Sequence, residues 1–181
     1  LKSLAESLAR KHGVAVGVQP ADLSKPGAAA QLFTTLSRKY SGVDVLVNCA
    51  GVLEQGAFTA IDAAAHQAII DLNISGLTAM LSAFVPGMVQ RGRGRVLNVA
   101  SVAAFQPVPT LASYAASKAY VLSLSESLSE ELRDSGVTVT TLCPGITATN
   151  MLTQAAGAND KLGQLPAFLI GDVQEVADLL A

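Results

Sequence analysis

Arg95-Val-Leu-Asn-Val99, a helical stretch from Tyr114 to Arg133, and Val137-Thr-Val-Thr-Thr-Leu142 follow one another in the second half of this chain. The outer two are apolar or β-branched runs of strand length. Between them Val121, Leu124, Leu128 and Leu132 recur on one helical stripe, and Gly136 is placed to end the helix. Strand, helix and strand in that order make a right-handed βαβ unit with parallel strands. The alternation continues upstream. Leu1, Leu4 and Leu8 recur with Ala5 and Ala9 at helical spacing before Gly13, and Val14 to Val18 reads as a short strand. Ser24 as N-cap and Pro26 as first residue open a second helix that reaches about Tyr40. Val43 to Val47 reads as a strand that closes on Asn48-Cys-Ala-Gly51. A loop and one or two helices lead to Gln90, with Ile74-Ser-Gly76 interrupting the pattern beside Asn73. The expected fold is α/β, a doubly wound parallel sheet in a single domain spanning residues 1–181.

Composition agrees with that class. Half of the residues are hydrophobic and 14% are charged, which suits strands buried on both faces with Ala-rich helices against them. A net charge of −2 implies neither a nucleic-acid nor an anionic-membrane partner. The one basic run, Arg91-Gly-Arg-Gly-Arg95, reads as a helix-to-strand turn. No segment is expected to span a membrane, since Leu77 to Val89 is interrupted by Ser82, Pro86 and Gly87. Cys49 and Cys143 have no metal-ligand spacing. Their strands are separated by another, about 9–10 Å, which is beyond disulfide reach. Reduced cysteines point to a cytoplasmic setting. His12 and His66 lie in helical surroundings without partner ligands, so both are expected at the surface and no metal site is expected.

In doubly wound sheets ligands bind beyond the carboxyl ends of the strands. Asp22, Asn48, Ser101, Thr147 and Thr149 all fall there. Tyr114 and Lys118 add a chemical pair, four residues apart and on one face of a helix. A free tyrosine titrates near ~10, so work at neutral pH needs its phenolate favoured by about three units. That is roughly 4 kcal/mol, which one ammonium ~4 Å away supplies at an effective dielectric of about 20.

Taken in order, Asp22-Leu23, Asn48-Cys-Ala-Gly51, Asn73, Ser101, Tyr114-x-x-x-Lys118 and Pro144-Gly145 resemble the short-chain dehydrogenase/reductase family across essentially the whole chain. The resemblance implies a Rossmann-type sheet and an NAD(P)-dependent oxidoreductase. Hydride would pass between a nicotinamide, NAD or NADP, and a small carbonyl or alcohol substrate. Tyr114 would be the general acid/base, Ser101 would hold the substrate oxygen, and Lys118 would lower the tyrosine's pKa and bond the nicotinamide ribose. Asn73 would support a water linking Lys118 to solvent. Asp22 would contact the adenine and Leu23 line its pocket. Asn48 would brace the sheet, while Ala50 and Gly51 admit the dinucleotide close to the backbone. Pro144, Gly145, Thr147 and Thr149 would run past the carboxamide and phosphates. A homodimer or homotetramer is implied, paired through the helices at Tyr114–Arg133 and Leu77–Gln90.

Cys49 and Thr147 depart slightly from the family pattern, which has Asn and Val or Ile there. A larger departure is the glycine-spaced phosphate turn, which occurs nowhere among these residues. The chain opens within a helical pattern and stops in a helix, Val173 to Ala181, so the sheet is expected to be incomplete at both ends. In the family's strand order two strands lie between Val14–Val18 and Val43–Val47, and their absence would leave unpaired backbone on both sides. The 181 residues are accordingly read as part of a longer gene product. By themselves they are expected to bind dinucleotide poorly. The alternative is a truncated, catalytically silent nucleotide-binding or scaffold relative. For the substrate, the uncharged loop Val102–Ala112 and a lid-like segment at about 150–170 point to an apolar ketone or secondary alcohol.

Overall fold

The computed structural model describes residues 1–145 together with Asp172, Gln174 and Val176. Thr147, Thr149, the lid-like segment and most of the last expected helix therefore lie outside the described residues.

Three parallel strands form the sheet found among the described residues: β1 (Val45–Asn48), β2 (Gly94–Val99) and β3 (Val137–Leu142), in that spatial order. Val45 to Asn48 align with Arg95 to Asn98, and Gly94 to Val99 align with Val137 to Leu142. Parallel neighbours require long crossovers. The first crossover holds helix α3 (Ala63–Ile69), a π-helical turn (Ile70–Gly76) and helix α4 (Leu77–Gln90), and the second holds helix α5 (Ala112–Glu131). Helices α1 (Lys2–His12) and α2 (Ala28–Ser37) precede β1.

The core forms where α4 lies beside α2 and the sheet. Leu77, Met80, Leu81, Phe84, Val85 and Met88 from α4 are buried with Leu46, Val96 and Val137 from the strands. Phe33 of α2 meets Phe84 edge-on, with ring centroids 5.2 Å apart. α3, the π turn and α4 together run as one 28-residue helix, Ala63–Gln90, which by length and composition is long and apolar enough to cross a membrane. A buried core helix can have the same length and composition. The apolar stripe is the same one that α4 buries in the core.

The basic run is the turn it was read to be. Arg91 Nη2 donates to the Val43 carbonyl at 2.6 Å, and Arg93 pairs with Asp44 at 3.3 Å. The next turn depends on glycine: Gly136 has φ +75°, and a Cβ there would lie 2.1 Å from the Gly92 carbonyl oxygen. We predict that Gly136→Ala destabilises the fold by about 1–3 kcal/mol, read as a lower urea midpoint.

Two readings of the N-terminal region need correction. Helix α2 is capped by Gly27 in a left-handed conformation, not by Ser24, and it ends at Ser37. Val14 to Val18 is not a strand. Those residues are exposed and enter no ladder among the described residues. The outer edge of β1 is likewise open, with Val45 59% and Val47 53% exposed. β-Branched residues favour a strand only when a neighbouring strand takes up their N–H and C=O groups. No such neighbour lies between Val14–Val18 and β1 among the described residues, which is the gap the strand order implied.

Candidate active site

Ser101, Tyr114 and Lys118 converge just past the C-terminal ends of β2 and β3. Ser101 follows β2 after Ala100 and is in extended backbone, and its Oγ accepts from the Ala103 N–H at 3.2 Å. That bond starts a short 3₁₀ turn (Val102–Phe105), which the Val102 N–H ties to the Pro144 carbonyl at 3.0 Å. Pro144 and Gly145 thus stand beside Ser101 at the end of β3.

Tyr114 is in the first turn of α5, with Lys118 one turn on. The Lys118 side chain is buried and its Nζ donates to the Val99 carbonyl at 2.8 Å, which fastens α5 to the end of β2. That bond uses one of its three N–H donors. Nζ lies 5.7 Å from the centre of the Tyr114 ring, over its face.

This placement changes the expected electrostatics. Burial pushes the Tyr114 phenol above its ordinary value of 10.0, and a side-chain hydrogen bond with Ser101 only partly opposes it. Burial pushes the Lys118 ammonium below its ordinary 10.5, opposed by its charge interactions with Cys49 and Cys143. The expected lowering of Tyr114 by Lys118 is not what the geometry gives, because the ammonium sits over the ring and bonds a backbone carbonyl. In the free protein the Tyr114 phenol therefore keeps its proton at neutral pH. The sign is testable. The phenolate absorbance near 295 nm that is lost in Tyr114→Phe should titrate above pH 10.0 in the protein without cofactor. The raised pKa also means that the folded state holds this proton longer than the unfolded one. Tyr114 therefore withdraws stability as pH rises past 10.0.

Asn73 is 2% exposed and lies in the π turn, where its neighbours interrupted the helical pattern. Its Oδ1 accepts from the Val52 N–H at 2.9 Å. Its Nδ2 donates to the Val52 carbonyl at 2.9 Å and to Ser117 Oγ at 3.0 Å. Ser117 Oγ in turn donates to the Tyr114 carbonyl at 2.7 Å. The Asn73 side chain therefore fixes the loop after β1 and the first turn of α5 together.

Asn48 links β1 to β2 through its side chain. Its Nδ2 donates to Asn98 Oδ1 at 2.9 Å, Asn98 Nδ2 to Ser125 Oγ at 2.9 Å, and Ser125 Oγ to the Val121 carbonyl at 2.6 Å. Asn98, Ser117 and Ser125 are fully buried members of these networks that the sequence reading passed over. For Asn98 a signal was available, a polar residue inside the otherwise apolar run Val96–Val99.

Two other candidate residues also have partners within the protein. Asp22 is exposed, and its Oδ1 accepts from the Ser24 hydroxyl at 2.6 Å and the Ser24 N–H at 3.1 Å. These bonds hold its carboxyl below the ordinary carboxylate range and make it a turn residue. Leu23 packs against the core, and its carbonyl would lie 2.7 Å from a Cβ on Gly76, so it abuts the π turn. His66 is not a free surface residue: it bonds Ser113 and Phe58.

The residues present fit a dinucleotide. Ala50 is exposed, and a Cβ on Gly51 would stand 3.6 Å from Lys118 Nζ and 3.3 Å from Asn73 Oδ1. Bare backbone therefore lies beside a buried ammonium with donors to spare, as a ribose diol would need. An apolar trough of about 590 Å³ runs between the loop at Ala103–Pro109 and the Ala112, Ala115, Ala116 and Ala119 face of α5. Neither Ser101 nor Tyr114 lines it. Among the described residues no group of three His, Cys, Asp or Glu side chains is placed to hold a metal, and both cysteines are free thiols.

Residues 1–160 match the family model described as short chain dehydrogenase. A 3-oxoacyl-[acyl-carrier-protein] reductase of Synechocystis is 35% identical over 165 residues, 91% of this chain and 66% of that relative. Among solved structures, a short-chain dehydrogenase from Sphingobium yanoikuyae in complex with NADPH superposes with a TM-score of 0.88 at 35% identity. It covers 98% of this chain and 67% of its own. A bulky-bulky ketone specific alcohol dehydrogenase from Comamonas testosteroni gives 0.82 at 31% identity, covering 98% and 65%. The chain thus spans about two thirds of the length of the relatives it matches. With its parallel sheet, its Ser101–Tyr114–Lys118 cluster and a family match over most of its residues, this chain belongs to the short-chain dehydrogenase family.

Proposed function

We propose that this chain carries the catalytic part of an NAD(P)-dependent oxidoreductase acting on an apolar ketone or the matching secondary alcohol. The observation that carries the reading is a half-buried Tyr114 phenol close to Ser101, with the Lys118 ammonium over its ring at the strand ends. The nicotinamide, as NAD or NADP, supplies or accepts the hydride. Tyr114 gives its phenolic proton to the substrate oxygen in reduction and takes it back in oxidation. Ser101 holds that oxygen within reach of the phenol. Lys118 binds the cofactor's ribose with the N–H donors that Val99 leaves over. A phenol that is protonated at neutral pH is ready for the reductive direction.

The apolar substrate class is supported by the loop from Val102 to Ala112, which has no charged side chain. A cytoplasmic protein and a homodimer or homotetramer paired through α4 and α5 complete the reading. Ser and Ala along α5 permit close helix approach. The silent alternative is not favoured, because the four catalytic-type residues are kept together and the matched relatives are named as reductases and dehydrogenases.

Substrate class is tested by NADPH oxidation with paired ketones that differ by a carboxylate. We expect the uncharged member of each pair to show at least roughly tenfold higher kcat/KM. A preference for the carboxylated member would overturn the assignment.

A further inference from the structure

α5 begins without a side-chain cap. Leu111 occupies the N-cap position and makes no such bond, and Thr110 before it is held at φ +67°. A β-branched residue in the left-handed region is strained, and the surroundings must hold it there. One tie is visible at Thr110, whose carbonyl accepts from the Gly56 N–H at 2.9 Å. The other is at Ser113, the residue before Tyr114, where Oγ lies 2.7 Å from His66 Nδ1.

His66 is locked in turn. Its Nε2 is 3.2 Å from the Phe58 carbonyl, and its ring stacks on Phe58 with centroids 4.4 Å apart and planes at 29°. The carbonyl can only accept, so Nε2 carries the proton and Nδ1 accepts from the Ser113 hydroxyl. This fixes the tautomer and the ring plane together. His66 is also seven residues before Asn73 on the same continuous helix, Ala63–Gln90. That helix therefore grips the first turn of α5 at two points: His66 holds Ser113, and Asn73 holds Ser117, whose hydroxyl bonds the Tyr114 carbonyl.

We propose that His66 is a positioning residue for Tyr114: acting through Ser113, it sets the rotation of the uncapped first turn of α5 and hence where the phenol points. The inference rests on the reading of Tyr114 as the acid/base. It predicts that losing the His66–Ser113 bond lowers turnover with little effect on substrate binding. A misplaced acid costs up to about a hundredfold for a 1 Å shift, and a first turn still held by Asn73 should move less. We expect roughly a tenfold loss in kcat with KM unchanged within about twofold.

The test uses the protein as expressed from its gene, assayed with NADPH and an aryl methyl ketone. His66→Phe keeps the stack on Phe58 and removes both ring nitrogens. Ser113→Ala removes the partner. His66→Asn places an amide oxygen where Nδ1 stands and should restore the bond. His66→Phe and Ser113→Ala should each lose kcat, the double variant should lose no more than either, and His66→Asn should recover most of it. In hydrogen exchange without ligands, the amides of Ser113 to Ala116 should exchange faster in the first two variants and normally in the third. The idea is overturned if kcat and exchange in His66→Phe match the parent, or if His66→Asn is as impaired as His66→Phe. Tyr114→Phe, run alongside, separates the two claims. Full turnover there defeats the acid/base reading, while an inactive Tyr114→Phe beside a normal His66→Phe defeats only the positioning role.

Discussion

Tyr114→Phe is expected to lower kcat by about 10²–10⁴-fold while the fold survives. The substitution removes one oxygen and little else. The phenyl ring still fills its place in the first turn of α5, and Lys118 Nζ can still lie over its face, 5.7 Å from the centre. The fold loses only a half-buried hydroxyl beside Ser101, worth about 1 kcal/mol at most. The reaction loses its proton donor. A solvent-derived proton would have to reach an oxygen that Ser101 holds in a half-buried site, and nothing else in the cluster replaces the phenol. Ser101 is a far weaker acid, and the Lys118 ammonium is fastened to the Val99 carbonyl by one N–H and bonds the cofactor's ribose with the others in the proposed reading. Steady-state kinetics with a melting curve on the same sample checks both halves of the expectation.

The second large effect is on the fold itself. Asn73→Ala removes three hydrogen bonds at once and leaves the Val52 N–H, the Val52 carbonyl and the Ser117 hydroxyl short of a partner. Ser117 keeps its bond to the Tyr114 carbonyl, so the loss falls mainly on Val52. Val52 is exposed, so water takes up part of that loss; a buried group left unpaired costs about 1–3 kcal/mol, and a destabilisation of about that size is expected in all. A domain typically has only about 5–15 kcal/mol in all, so the urea midpoint should fall visibly. Activity should fall too, even where the protein remains folded, because Asn73 ties the loop after β1 to the turn that carries Tyr114. An unchanged midpoint would mean that water replaces the side chain without cost. The network would then lose its structural role.

Much of this architecture can be read from the chain because it is local. The stripe Val121, Leu124, Leu128 and Leu132 gives α5, and the β-branched run after Gly136 gives β3, within a residue or two of the observed ends. Ile74-Ser-Gly76 marks the π turn, and the arginine-glycine run marks the entry to β2. What escaped depends on partners distant in sequence. Val14–Val18 has strand composition but no neighbour to pair with among the described residues, and composition cannot report a neighbour. Asn98 and Ser125 are 27 residues apart, and His66 and Ser113 are 47 apart, so neither bond leaves a periodic trace. The direction of the Tyr114 shift was missed for a related reason. A four-residue spacing puts the ammonium near the ring, but only the Val99 carbonyl decides that it lies over the face.

The same distinction holds for the site. Ser101, Tyr114, Lys118 and Asn73 were each legible as single residues of unusual type at a strand end or a helix break. Their mutual support was not, because it runs through Ser117 and Val52, which carry no chemical signature of their own.

The proton-transfer role of Tyr114 is tested most directly by the pH dependence of kcat/KM measured in both directions on one ketone–alcohol pair, with Tyr114→Phe beside it. Reduction needs the phenol and oxidation needs the phenolate. The account predicts that reduction falls and oxidation rises through the same pH, and that both limbs vanish from the residual activity of Tyr114→Phe. Limbs that persist unchanged in Tyr114→Phe would contradict it.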